Sequence, residues 1–120
     1  MLDSHHMLVL ERAYMAGLGG RQRNSIRLYV IDTRRATDTS SIAALQPGNH
    51  TPAVKTLVAD LASFQALSTL DNIEGMCWGP MLPDNKGQPG NRTLMFVSDD
   101  NFNPRQVTQL LAFEFLEQQP

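Results

Sequence analysis

The chain has 120 residues, 42% apolar and 18% charged, with a formal net charge of −2, which suits one domain with a real core and not two ordinary ones. Its ten basic residues are scattered, and the densest patch (Arg21, Arg23, Arg27, Arg34, Arg35) is interrupted and reads as solvated loops, which argues against nucleic acid as the main partner. No segment approaches the roughly 18 continuous apolar residues of a membrane span, and the single cysteine, Cys77, allows no intramolecular disulfide.

Residues 1–7 lack the basic and apolar regions of a signal peptide, so the chain as given carries no export address. Residues 7–13 are the first strand signal, ending in Glu11 and Arg12. The second, 25–32, alternates: Ile26, Leu28 and Val30 on one face, Arg27 and Tyr29 on the other, with Ile31 breaking the pattern. Gly17-Leu-Gly-Gly20 and Asn24 supply the turn of a long-looped hairpin between them. Residues 33–52 turn polar, with a short helical piece expected at 41–45. A third strand is expected at 54–61, then one or two helical turns at 62–70, where Phe64, Leu67 and Leu70 fall at helical spacing.

The fourth and fifth strand signals lie in Asp71-Asn-Ile-Glu-Gly-Met-Cys-Trp-Gly-Pro80 and Arg92-Thr-Leu-Met-Phe-Val-Ser-Asp-Asp-Asn-Phe102, separated by a Pro/Asn/Gly-rich gap. Segment 105–116 supports two readings. Asn103-Pro104 resembles a helix start, whereas Leu111, Phe113 and Phe115 alternate as in a strand. A weak internal repeat pairs residues 8–11 and 26–29 with 94–97 and 110–113.

Glu74 opens the fourth strand, and Asp99 and Asp100 close the fifth. Carboxylates so placed converge at one rim of a sheet, the arrangement of many hard-cation and hydrolytic sites. Adjacent strand residues face opposite ways, so at most one of the two aspartates is expected to share the site unless the strand has ended, and the second to form a turn. Asn101 and Asn103 read as turn residues, and Asn72 as a partner orienting Glu74. Cys77, between Met76 and Trp78, reads as a buried, inert thiol. His5, His6 and His50 have no second ligand at zinc spacing, and Ser98 lacks the Gly-x-Ser-x-Gly elbow of a serine hydrolase. Trp78, Phe96, Phe113 and Phe115 read as core; Tyr14 and Phe102 suit a binding rim better.

The order Leu8-Val-Leu-Glu-Arg12, Ser25-Ile-Arg-Leu-Tyr29, Asp71-Asn-Ile-Glu-Gly-Met76, residues 92–104 and Thr108-Gln-Leu-Leu-Ala-Phe-Glu114 resembles the phytase-like family termed "esterase-like activity of phytase". The resemblance implies a mainly all-β fold: a partial β-propeller of about one and a half blades, antiparallel with short helical turns. The whole chain, 1–120, would be a single C-terminal domain fragment. It favours a strand at 108–116.

It also implies a channel mouth where Glu11, Glu74, Asp99 and Asp100 hold a divalent cation, calcium first. There Glu74, Asp99 and Arg12 would serve the hydrolysis of a small-molecule ester or phosphoester by metal-activated water, with no covalent intermediate. Arg12 would hold an anionic group, although a plain ion pair is the favoured reading of Glu11 and Arg12. The resemblance suggests a bacterial, periplasmic or secreted setting. The competing expectations are a non-catalytic ligand- or protein-binding module and an inactive truncated product; either leaves strand edges open to self-association.

Overall fold

The computed structural model describes residues 2–16, 22–67, 69–83 and 89–116. These fall into two compact units, Met1–Leu67 and Ser68–Pro120. The first holds an antiparallel sheet in the order β1 (His6–Ala16), β2 (Gln22–Asp32) and β3 (Val54–Asp60). Strand alternation sends Ile26 and Leu28 to one face, where they are buried together with Leu61. Leu61 opens a single-turn 3-10 helix, Leu61–Ser63, that packs on β2 and is capped by the Asp60 carboxylate accepting from the Ala62 N–H.

The other face of this sheet mixes charged with apolar side chains. Arg27 donates to Asp60 at 3.0 Å, and Lys55 lies 4.4 Å from the Tyr29 ring centroid while its ammonium reaches Glu11 at 2.6 Å. Ile31, which breaks the polarity pattern, keeps the backbone alternation: it is in register with Met7 and Lys55, on the face of Tyr29. A bulge leaves Val58 as the extra residue of β3, because Leu28 faces Ala59 and Tyr29 faces Leu57.

The second unit repeats the plan with β4 (Ile73–Pro83), β5 (Pro89–Ser98) and β6 (Gln109–Phe115), in that order and antiparallel. Ile73, Leu94 and Phe96 form its buried core. Around them Trp78 meets Phe115 edge-on at 5.2 Å and Phe96 meets Phe113 at 5.7 Å, geometries that suit the ring quadrupoles. Arg92 stacks 3.9 Å over Trp78.

The fold is mainly β, with no α-helix among the described residues. Among the described residues no helix is long and apolar enough to cross a membrane. The segment with two readings is a strand at 109–115, where Leu111, Phe113 and Phe115 are half-buried and Leu110, Ala112 and Glu114 exposed. Asn103-Pro104 makes one turn and no helix.

The short helix expected at 41–45 is absent: Ile42 N–H donates to Thr39 C=O in an isolated turn. At 62–70 the expected one or two turns form among the described residues, as the 3-10 turn and one further turn. The 41–45 stretch is too short to offset the cost of helix nucleation without an apolar face to bury. The hairpin joins β1 to β2 as expected, but Asn24 lies within β2, opposite Tyr14. The Gly17–Gly20 turn is outside the described residues.

Candidate functional site

Antiparallel pairing brings the entry of β4, the exit of β5 and the entry of β6 to one end of the second sheet, where Ile73 pairs with Ser98 and Ser98 with Gln109. Glu74 stands at this end. Ile73 faces Ser98 and Gly75 faces Val97, so Glu74 is the extra residue of a β-bulge, a device that re-aims a side chain. Its carboxylate is exposed, and its Oε1 accepts from the carboxamide of Asn72, itself 8% exposed. Asn72 thus orients Glu74, as its place two residues earlier suggests.

Beyond β5, Asp99 and Asp100 lie at the same end, and each shapes the chain that follows. Asp99 Oδ1 accepts from Asn101 N–H at 3.3 Å and Asp100 Oδ1 from Phe102 N–H at 3.0 Å. Asp100 C=O accepts from Asn103 N–H at 2.8 Å, around Asn101 and Phe102 with φ of 51° and 55°. Two consecutive left-handed residues inside such a bond make a type I′ turn. Asn101 and Asn103 are turn residues, the latter accepting from Arg105 N–H at 3.0 Å. Both aspartates form the turn, where sequence alone assigned that work to one.

A set of buried polar groups that the sequence did not single out ties this loop to the strands. Asp71, 8% exposed, accepts from Val107 N–H at 2.5 Å and from Asn72 N–H at 2.7 Å. Its own N–H donates to Gln109 Oε1 at 2.9 Å, and Gln109 Nε2 donates to Thr69 C=O at 2.9 Å. Ser98, 1% exposed, donates to Val107 C=O and accepts from Gln109 N–H. The only trace of this in the sequence is polarity at strand ends; the partner of Asp71 lies 36 residues away.

Glu11 and Arg12 belong to the first unit and do not end a strand: β1 runs on to Ala16, and the two sit mid-ladder opposite Arg27 and Ile26. Glu11 is ion-paired with Lys55. Arg12 and Tyr14 are exposed. The expected burial of Cys77 is overturned. Its thiol is exposed because strand alternation points Met76 and Trp78 to the aromatic face and Cys77 to the other, in register with Met95 and Ala112.

At the start of β1, Asp3 accepts from His5 N–H, from His6 N–H and from the His6 ring, which hold its carboxyl down at about 2. The Arg34 guanidinium, aided by its backbone N–H, holds Asp32 well below the usual carboxylate range.

Calcium takes six to eight oxygens. Among the described residues no three His, Cys, Asp or Glu side chains gather as a metal group, and Asp99 and Asp100 each commit an oxygen to the turn. The residues within either unit do not fit a complete calcium cage. A family model described as phytase-like, "esterase-like activity of phytase", matches residues 1–102, and the chain belongs to that family. The match ends before β6, so residues 108–114 lie outside it. No curated protein and no solved structure matches the chain.

Proposed function

We propose that the chain serves hydrolysis of a small-molecule ester or phosphoester at the polar end of the second sheet, and that its two three-stranded sheets are parts of propeller blades. The observation that carries this is the Asn72-oriented carboxylate of Glu74 on a bulge, at the end that also bears Asp99 and Asp100. Glu74 takes a proton from water as that water's oxygen bonds to the carbonyl carbon or phosphorus. The ester bond to the alcohol oxygen then breaks, and the proton passes to the departing alcohol.

Asp99 is the second catalytic carboxylate in this reading. Calcium rests on family membership and not on geometry, and no step is drawn through it. A periplasmic or secreted setting rests on the same ground.

The test is hydrolysis of 2-naphthyl acetate and 2-naphthyl phosphate, each with calcium and with chelator, by the chain and by Glu74→Gln. Glutamine keeps an oxygen for Asn72 but cannot serve as a base. The expected loss is on the order of 100-fold or more; equal rates in both proteins would end the catalytic reading.

A second reading, a binding module that self-associates, is favoured by the edge strand β3, where Val54, Leu57 and Val58 are exposed.

A further inference from the structure

Residues 99–108 leave the polar end of the second sheet as a loop anchored at both ends. Ser98 and Asp71 grip Val107, Gln109 ties β6 back to residues 69–71, and Thr108 Oγ1 accepts from Asp100 N–H at 3.3 Å. Between the anchors stands Phe102, 100% exposed, at φ 55°. A left-handed backbone is disfavoured for a bulky side chain, and glycine or asparagine would hold the same turn without strain. A wholly exposed ring also contributes nothing to the core. Neither local conformation nor folding accounts for phenylalanine here, and strain of this kind collects at ligand-contacting sites.

The charges around it narrow the ligand. The described part of the second unit carries five acids, Asp71, Glu74, Asp99, Asp100 and Glu114, against two cations, Arg92 and Arg105. Arg92 and Glu114 lie at the other end of the sheet, opposite Phe115 and Thr93, which leaves four acids against Arg105 on the side of Phe102. An anionic ligand therefore meets net repulsion beside Phe102, whereas a neutral apolar group does not.

We propose that Phe102 is the contact through which this end of the sheet takes the apolar group of a neutral ester, with Asp71 as the residue that positions its loop. This rests on the hydrolase reading and names the ester class within it.

The test is a titration of the full chain, followed by amide NMR, with 2-methoxynaphthalene, which cannot be hydrolysed, and with 2-naphthyl phosphate. The neutral probe is expected to shift the amides of residues 100–103. Phe102→Gly, which keeps the turn, should weaken binding about fivefold and Phe102→Trp restore it. Asp71→Ala should weaken it with Phe102 intact, and Asp71→Asn, which keeps only one of the two oxygen acceptors, should recover no more than part of the loss. Unmoved loop amides, undiminished affinity in Phe102→Gly, or equal affinity for the phosphate would overturn the proposal. Probe binding that persists in a chain without hydrolytic activity would sink the hydrolase reading alone.

Discussion

Glycines 75 and 79 show how closely single positions on β4 are set. A Cβ on Gly75 would stand 2.6 Å from Val97 Cγ1, and one on Gly79 2.9 Å from Met95 Sδ. The distances are similar but the obstacles differ. Valine is short and stiff about χ1, so relief must come from the backbone, whereas methionine swings its thioether away and leaves Thr93 Cβ as a milder contact at 3.2 Å. Gly75→Ala should therefore destabilise the chain by about 1–3 kcal/mol and Gly79→Ala by clearly less, as urea midpoints would reveal. Because Gly75 follows the bulge at Glu74, the same substitution should also lower any hydrolysis that Glu74 supports. Equal midpoints for the two variants would show that the contact with Val97 yields freely.

At the scale of the element, the start of β1 carries a proton-linked clamp. The Asp3 carboxyl titrates near 3.9 in an unfolded chain and is lowered to about 2 in the fold. A depressed carboxylate contributes stability above its unfolded value and loses it as pH falls through the folded value. The advantage of the native chain over Asp3→Ala should thus hold at pH 5 and fade between about pH 4 and 2. Melting curves of both proteins across that range would measure it, and a gap unchanged at pH 2 would refute the clamp. Arg34 on Asp32 adds a contribution of the same sign.

The strands were legible from alternation, and the turns partly from composition. Residues 26–30 announce β2 because one face is apolar and the other polar. The helical spacing of Phe64, Leu67 and Leu70 marks a stretch that forms a 3-10 turn and one further turn, in which Leu67 N–H donates to Phe64 C=O. Cys77 misled because its apolar neighbours in sequence point away from it in a strand. Glu74 and Asn72 could be singled out by residue type, but the bulge that aims Glu74 depends on pairing with β5. The Asp71–Val107 and Gln109–Thr69 bonds depend on a register between distant segments that no local pattern encodes.

Across the whole chain, each unit buries only three large apolar side chains among the described residues: Ile26, Leu28 and Leu61 in one, Ile73, Leu94 and Phe96 in the other. A fully buried side chain of this size contributes roughly 1.5–3 kcal/mol, so neither core is large, and apolar surface left at a strand edge retains a driving force for association. β3 is such an edge. Its exposed side chains include Val54, Leu57 and Val58. Its two charges are engaged within the first unit, Lys55 with Glu11 and Tyr29, Asp60 with Arg27. Charges so held are poor guards against another strand. A second copy can add β3 to β3 antiparallel, a pairing that is its own symmetry mate. Sedimentation should then show a concentration-dependent dimer, and Leu57→Lys should shift it to monomer with little change in melting temperature, since Leu57 is 53% exposed. Dimerisation equal in the variant would move the contact to another edge; a native chain monomeric at every concentration would remove self-association through β3.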